Sequence, residues 1–288
     1  MSEIVYLNGS LIPRSQAKIS VLDYGFLYGF GLFETMRAYG EQVFRLDSHL
    51  RRLAHSAEIL GLPIRVTDLK GAVMATIQAN QLSDARIRIT ISIGEGSMVP
   101  DPDTCKQPTV LIMAGNYHPY PEQVYKKGFR AVVSSIRRNS QSPLSRLKSA
   151  NYLENLLAKQ EARKAGADEA LCLNEKGLLA EASMSNIFLV ADGVLKTPGQ
   201  EGGILPGITR EVLLELASQL GISTFEQDIR LEEVFQAQEA FLTNSLIEIM
   251  PLAEVDSKPV GSGKPGPVTR KLMANYKKLV LASKTSEQ

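Results

Sequence analysis

Apolar and polar residues follow two different periods along the first part of the chain. Residues 4–7 form a short apolar run that leads into Asn8-Gly9, a dipeptide typical of a two-residue hairpin turn. From residue 47 to residue 60 the apolar positions recur every three or four residues, which predicts a helix. Residues 66–80 predict a second helix, and residues 86–93 alternate without a break, as in a strand with one polar face.

The second half of the chain shows the same mixture of periods. Strand-like runs and helical spacings alternate at residues 129–136 (strand), 151–165 (helix), 170–173 and 186–190 (strands), 207–220 (helix), 240–243 (strand) and in a terminal helix. Because both halves mix strands and helices, we expect an α/β (α+β) fold in two domains.

One segment is the best candidate for an interdomain linker. Residues 116–128 contain two prolines and three tyrosines between two predicted strands. We therefore expect a smaller N-terminal α/β domain at residues 1–115 and a larger C-terminal domain at residues 129–288.

The composition excludes several classes of function. Of 288 residues, 32 are Lys or Arg and 31 are Asp or Glu, so the net charge of +1 offers no general attraction for nucleic acid or an acidic membrane. The chain start lacks a signal-peptide core, and no run reaches the ~18 apolar residues of a membrane span. Cys105, Cys172 and three scattered histidines indicate neither a disulfide nor a metal site. We expect a cytoplasmic protein that acts on small molecules.

Four short segments carry residues suited to an anionic cofactor. Arg52 lies on the first predicted helix, Lys148 directly precedes another, and Glu181 leads into an apolar strand. Ile208-Thr209 open a helix, where unpaired N–H groups bind phosphate well. Each segment alone also fits an ordinary interpretation: a solvated arginine, a surface lysine, a turn or a helix cap. Their joint occurrence in this order favours a cofactor site.

With these segments, the chain resembles the class IV (fold type IV) family of pyridoxal-phosphate (PLP) enzymes. The family includes branched-chain and D-amino-acid aminotransferases, R-selective amine transaminases and aminodeoxychorismate lyases. The resemblance extends from Leu7-Asn8-Gly9 to Pro267-Val268-Thr269 and includes Gly31-Leu32-Phe33-Glu34 and Thr243-Asn244-Ser245-Leu246. It implies the two-domain type IV fold and PLP as the cofactor.

The resemblance also implies roles for individual residues. Lys148 matches the lysine that forms a Schiff base with PLP and carries the substrate α-proton. Glu181 matches the carboxylate that faces the pyridine nitrogen and favours its protonated form. Arg52, rather than Arg51, aligns with the phosphate arginine, for which we expect a bidentate contact.

Further cofactor contacts follow from the same resemblance. Ile208 and Thr209 would add backbone and hydroxyl donors to the phosphate, and Asn244 and Ser245 would contact the cofactor from another loop, where Ser245 closes the phosphate site. Tyr152 aligns with a tyrosine near the phenolic oxygen of PLP, although its spacing from the lysine is one residue shorter than in the branched-chain enzymes.

The substrate residues are less closely matched. Phe33 lies in a segment close to the branched-chain pattern, and Arg88 lies near an arginine that binds substrate carboxylates in those enzymes. An edge-strand surface charge is an equal alternative for Arg88. The Arg-x-His pair of the D-amino-acid enzymes is missing after residues 90–95, whereas residues 243–246 look more like those of the lyases.

Three functions remain open on this basis. The first is transfer of an amino group between an amino acid (branched-chain-like or D-) or amine and a 2-keto acid. The alternative is an aminodeoxychorismate lyase that releases pyruvate and 4-aminobenzoate in folate synthesis. A catalytically silent protein on the same scaffold ranks last, because Lys148 and Glu181 are both present. Family members are dimers or larger, so we expect a homodimer or a higher homo-oligomer.

Overall fold

The chain forms two compact units in a computed structural model that describes residues 3–283. The first unit ends at His118 and also includes Leu147–Asn151, whereas the second consists of Pro119–Arg146 and Tyr152–Ala282. The first break falls within the predicted linker. The segment that carries Lys148 differs from the predicted boundaries, because it pairs with a strand of the first unit.

The first unit is built on a six-stranded antiparallel sheet with strand order β2-β1-β6-β5-β3-β4. Its elements in chain order are β1 (Ile4–Leu7), β2 (Ser10–Pro13), α1 (Tyr24–Tyr28), β3 (Gly31–Tyr39), β4 (Gln42–Val43), α2 (Leu46–Ile59), α3 (Leu69–Ala79), β5 (Ala85–Ser92) and β6 (Thr109–Asn116).

The two faces of this sheet differ in polarity. Ile87 and Ile89 of β5 belong to one buried cluster with Leu53 of α2 and Ile77 of α3, so one face carries the core of the unit. Arg88 alternates with these isoleucines and therefore lies on the opposite face. This arrangement confirms the predicted strand with one polar face.

The second unit is built on a nine-stranded mixed sheet with the order β12-β11-β10-β13-β14-β7-β8-β9, and β15 pairs with β14. Its elements in chain order are α4 (Glu122–Lys127), β7 (Phe129–Arg138), α5 (Leu153–Lys164), β8 (Glu169–Asn174), β9 (Leu179–Ala182), β10 (Asn186–Ala191), β11 (Val194–Pro198), α6 (Ile208–Gln219), β12 (Thr224–Gln227), α7 (Leu231–Gln236), β13 (Glu239–Asn244), β14 (Glu248–Val255), β15 (Lys258–Pro259) and α8 (Pro267–Ser283).

The central strands of the second sheet contribute large buried side chains to the core of the second unit. Phe188 of β10 and Phe241 of β13 are register partners, and their rings stack with centroids 5.2 Å apart. The predicted linker is not structureless, because it contains the end of β6 and all of α4. Within residues 3–283, no helix has both the length and the apolar character that crossing a membrane requires.

Candidate active site

The backbone around Lys148 is held against strand β3 by two hydrogen bonds. The N–H of Phe33 donates to the carbonyl of Lys148 at 2.9 Å, and the N–H of Ala150 donates to the carbonyl of Gly31 at 2.8 Å. A Cβ at Gly31 would lie 2.4 Å from the carbonyl oxygen of Ile91, so only glycine allows this packing. The lysine segment therefore extends the sheet of the first unit beside β3.

The side chain of Phe33 lies beside two cations. Its ring centroid is 4.6 Å from Nζ of Lys148 and 4.0 Å from Cζ of Arg88, both within the range of cation–π attraction. The Arg88 guanidinium also donates from Nε to the Thr90 hydroxyl at 3.1 Å. The structure thus brings three of the predicted residues together. Because β5 pairs with both β3 and β6, the edge-strand interpretation of Arg88 is wrong.

A buried ionic cluster lies on the other face of β3. Both carboxylate oxygens of Glu34 accept from Arg52, from Nε at 2.8 Å and from Nη2 at 2.6 Å. The Nδ1 atom of His49 lies 2.7 Å from the same carboxylate. The Nε–Nη2 edge of Arg52 therefore contacts Glu34, and the expected bidentate phosphate contact of this guanidinium stays a prediction.

The charges of this cluster follow from burial and proximity. Burial alone would raise the pKa of Glu34, but Arg52 and His49 outweigh it and hold that pKa at about 2. Burial lowers the pKa of His49, and Glu34 raises it. The positive charges of Arg52 and Lys148 lower it further, so the net shift is downwards. At neutral pH, Glu34 is ionised and His49 is a neutral imidazole that donates its Nδ1–H to the carboxylate.

Sequence reasoning missed Glu34 and His49 as members of the site. The available signal was the spacing His49-x-x-Arg52 on one helix, which places the two side chains on neighbouring turns. Their common partner on β3 becomes apparent only when the helix packs on the sheet.

In the second unit, Glu181 accepts hydrogen bonds on both carboxylate oxygens. Nη2 of Arg138 lies 2.9 Å from Oε1, and Oε2 accepts from the Leu205 N–H at 3.1 Å and from Nδ2 of Asn186 at 3.3 Å. Glu181 is buried on β9. Arg138 was not singled out in the sequence, because it lies in a polar stretch that follows a strand.

The start of α6 has the form of an anion site. Ile208 and Thr209 are buried and are its first residues, and the preceding Gly207 provides no side-chain cap for the first N–H groups of the helix. A Cβ at Gly207 would lie 2.0 Å from Oδ1 of Asn186, so any larger residue here would displace the Asn186 side chain. The N–H groups and the helix dipole favour a phosphate here.

The loop after β13 is held by Asn244. Its Nδ2 donates to the Met184 carbonyl at 3.1 Å and to the Ser185 hydroxyl at 3.0 Å. Its Oδ1 accepts from the N–H groups of Leu246 and Ile247, both at 2.9 Å. The side chain thus shapes the loop that contains Ser245, and its predicted contact with the cofactor stays a prediction.

Two further observations concern the second unit. The hydroxyl of Tyr152 donates to the Ser183 carbonyl at 3.4 Å. Among the described residues, Arg138 Nε and Thr243 Oγ1 are buried and have no hydrogen-bond partner.

The comparison with protein families gives one match. The model of the family "Amino-transferase class IV" matches residues 31–255, which include every residue of the candidate site described in this subsection. The chain belongs to the class IV aminotransferases. Enzymes of this class depend on pyridoxal phosphate, and this chain is a PLP-dependent transaminase with the type IV fold.

Relatives and solved structures agree with this assignment. A Methanocaldococcus jannaschii protein, provisionally assigned as a branched-chain-amino-acid aminotransferase, is 40% identical over 95% of each chain. The branched-chain aminotransferase of Thermoproteus uzoniensis, solved with norvaline, has a TM-score of 0.91 at 39% identity and covers 99% of this chain and 97% of its own. The T.th. branched-chain aminotransferase, solved with pyridoxamine 5'-phosphate, has a TM-score of 0.92 at 32% identity over 97% and 94%.

One relative has a different activity. The aminodeoxychorismate lyase of Bacillus subtilis is 34% identical over 96% of this chain and 94% of its own. Similarity over the whole chain thus extends to both activities that the sequence left open.

The residues of this class IV chain fit PLP chemically. Taken by itself, the first unit contains the cations Lys148, Arg88 and Arg52. Taken by itself, the second unit contains the buried carboxylate of Glu181 and a helix start at Ile208 without a side-chain cap from Gly207. Cations and N–H groups suit a phosphate dianion, and a carboxylate suits a protonated pyridine nitrogen.

Proposed function

We propose that this transaminase acts on branched-chain amino acids and 2-keto acids. The observation that carries the proposal is the surroundings of the apolar Phe33 ring. Its centroid lies 4.0 Å from Cζ of the Arg88 guanidinium and 4.6 Å from Nζ of Lys148. An apolar surface suits a branched side chain, and the Arg88 guanidinium suits a substrate carboxylate. The similarity to branched-chain aminotransferases over nearly the whole chain supports the same conclusion.

We assign the cofactor contacts from the chemistry of each residue. Arg52, Ile208, Thr209 and Ser245 would bind the phosphate, with Arg52 using the part of its guanidinium that does not contact Glu34. Glu181 would face the ring nitrogen. Lys148 would hold the cofactor covalently, and Tyr152 would lie near its phenolic oxygen, as expected from the family pattern.

The chain's own residues then divide the work of transfer. When bound, PLP supplies an electron sink for bond cleavage at the substrate α-carbon. Once the substrate amine has released it, the Nζ atom of Lys148 would take the proton from the substrate α-carbon and carry it to the adjacent carbon of the cofactor. Arg88 holds the substrate carboxylate, and the Phe33 ring excludes water from the space beside Arg88 and Lys148.

A substrate panel tests this function. The purified enzyme is assayed with L- and D-forms of leucine, isoleucine and valine and with R-amines, each with pyruvate or 2-oxoglutarate as acceptor. We expect turnover with the L-branched-chain amino acids, because the Arg-x-His pair of the D-specific enzymes is missing. Activity confined to D-amino acids or R-amines would contradict the proposal.

The lyase is the second candidate, because a lyase relative covers nearly the whole chain. An aminotransferase changes the absorbance of its bound cofactor when an amino donor alone is added, whereas a lyase releases pyruvate from aminodeoxychorismate without a keto-acid acceptor. We expect the first result and no pyruvate.

We also infer that the enzyme is a homo-oligomer in the cytoplasm. On the first unit, Val21, Phe26, Met98 and Val99 are each more than 70% exposed, an unusual number of large apolar side chains for a free surface. Light scattering after gel filtration should give at least twice the mass of one chain, and Phe26→Asp should lower it. A monomer in both cases would contradict this inference. The location stays a prediction, in keeping with the two free cysteines.

A further inference from the structure

Arg138 is held in one orientation at the end of β7. Its side chain is buried, and Nη2 contacts both Oε1 of Glu181 at 2.9 Å and the Ser145 carbonyl at 3.1 Å. On the other side of the guanidinium, Nη1 donates to Oδ1 of Asn155 at 3.3 Å. Asn155 is itself fixed, since its Nδ2 donates to the Ser183 carbonyl at 2.7 Å. The guanidinium therefore has a fixed direction towards the carboxylate.

The surroundings of Glu181 favour its ionised form. Besides Arg138, two neutral donors, the Leu205 N–H and Asn186 Nδ2, contact its other oxygen. Hydrogen bonds to a carboxylate stabilise its charge, and an adjacent guanidinium does so more strongly. Burial, followed by the negative charge of Glu181, raises the pKa of the neighbouring Cys172 thiol to about 12.

We propose that Arg138 is a positioning residue that holds Glu181 ionised and thereby keeps the proton on the ring nitrogen of PLP. The inference rests on the proposed place of Glu181 opposite that nitrogen. Two bases, the carboxylate and the pyridine nitrogen, compete there for one proton. Arg138 lies in contact with the carboxylate and stabilises its charged form directly, so it makes Glu181 the weaker competitor.

Removal of the guanidinium charge shifts this competition in a defined direction. The proton affinity of the carboxylate rises more than that of the more distant nitrogen, so the proton moves from nitrogen to Glu181. If the pKa of Glu181 rises by one unit more than the pKa of the ring nitrogen, the ratio of the form protonated on Glu181 to the form protonated on nitrogen changes about tenfold. We expect a change of at least about this size.

The test reads the ring nitrogen itself, in addition to turnover. Holoenzyme is prepared with PLP labelled with ¹⁵N in the ring, and the nitrogen resonance is recorded at constant pH. Arg138→Gln and Arg138→Met remove the charge, with Met filling the same buried space, whereas Arg138→Lys retains it. Arg130→Met is the matched control, because Arg130 lies exposed on the same strand and its Nη2 donates to the Gly166 carbonyl.

We expect both neutral variants to move the resonance towards the value of unprotonated pyridine. Arg138→Lys and Arg130→Met should keep the wild-type position. An unchanged resonance in a folded neutral variant, or an equal shift in Arg138→Lys, would overturn the proposed role of Arg138.

Glu181→Gln separates this outcome from a failure of the proposed function. If Glu181→Gln moves the resonance and the neutral Arg138 variants do not, the inference about Arg138 is wrong and the place of Glu181 stands. If Glu181→Gln leaves the resonance unchanged, Glu181 does not face the nitrogen and the proposed site is wrong.

Discussion

Replacement of Glu34 by Gln tests the buried ionic cluster beneath the site. The side chain of Glu34 is 1% exposed and that of Arg52 is 10% exposed, so both charges lie out of water. The substitution keeps the shape of the side chain and removes its charge. Arg52 is then left buried without a counterion, which is the costly way to break such a pair.

The magnitude follows from the pKa of Glu34. A fall from 4.5 in the unfolded chain to about 2 in the folded protein corresponds to about 3 kcal/mol of stability at neutral pH. Because the folded pKa is the lower one, this contribution is complete above the unfolded pKa and is lost as the pH falls through the folded pKa. At pH 3 less than half of it remains. The cost of Glu34→Gln should therefore shrink between pH 4.5 and pH 2.

Urea unfolding of both proteins at pH 7 and at pH 3 measures this difference. Glu122→Gln is the control, since Glu122 is an exposed carboxylate paired with Lys126, and its midpoint should not change. The double variant Glu34→Gln/Arg52→Met should be more stable than the single variant, because it removes the orphaned charge as well. A loss that is equal at both pH values, or a double variant no more stable than the single one, would refute the electrostatic account.

Three further predictions use other parts of the site. Arg52→Ala should weaken PLP binding about tenfold to a hundredfold, the loss expected for a charged hydrogen bond of roughly 1.5–3 kcal/mol; titration of the apoenzyme measures it, and unchanged affinity contradicts the assignment. Gly207→Ala should displace Asn186 and weaken PLP binding in the same titration, because its Cβ would lie 2.0 Å from Oδ1 of Asn186; wild-type affinity would show that the helix start does not bind the phosphate. Cys172 should resist iodoacetamide at pH 8 until the protein is unfolded, because its pKa is raised to about 12; labelling of the native protein at this residue would contradict its burial beside Glu181.

Local patterns predicted the elements that have a clear period and a clear end. Asn8 and Gly9 both adopt positive φ, as the hairpin dipeptide requires. The helix expected at residues 47–60 is Leu46–Ile59. By contrast, β9 is buried at all four positions, so it has no alternation for the sequence to show. The helix α4, with six residues, is too short for a helical period to be evident.

The site was predictable where one residue carries the chemistry within a recognisable segment. Lys148 and Glu181 are of this kind. Glu34 and Arg138 were missed because their importance lies in tertiary contacts: Glu34 meets a helix that packs on its strand, and Arg138 meets a carboxylate 43 positions further along the chain. The grouping of Leu147–Asn151 with the first unit is likewise a strand pairing that no local pattern indicates.

The central claim is that Lys148 is the lysine that holds the cofactor. Borohydride reduction of the holoenzyme, which makes the bond between lysine and cofactor permanent, followed by peptide mapping, tests it most directly. We predict a single labelled peptide with the cofactor on Lys148, and a Lys148→Ala protein that still binds PLP through its phosphate contacts but has lost nearly all turnover and all labelling. A label on Lys159 or on any other lysine, or normal turnover in Lys148→Ala, would contradict the account.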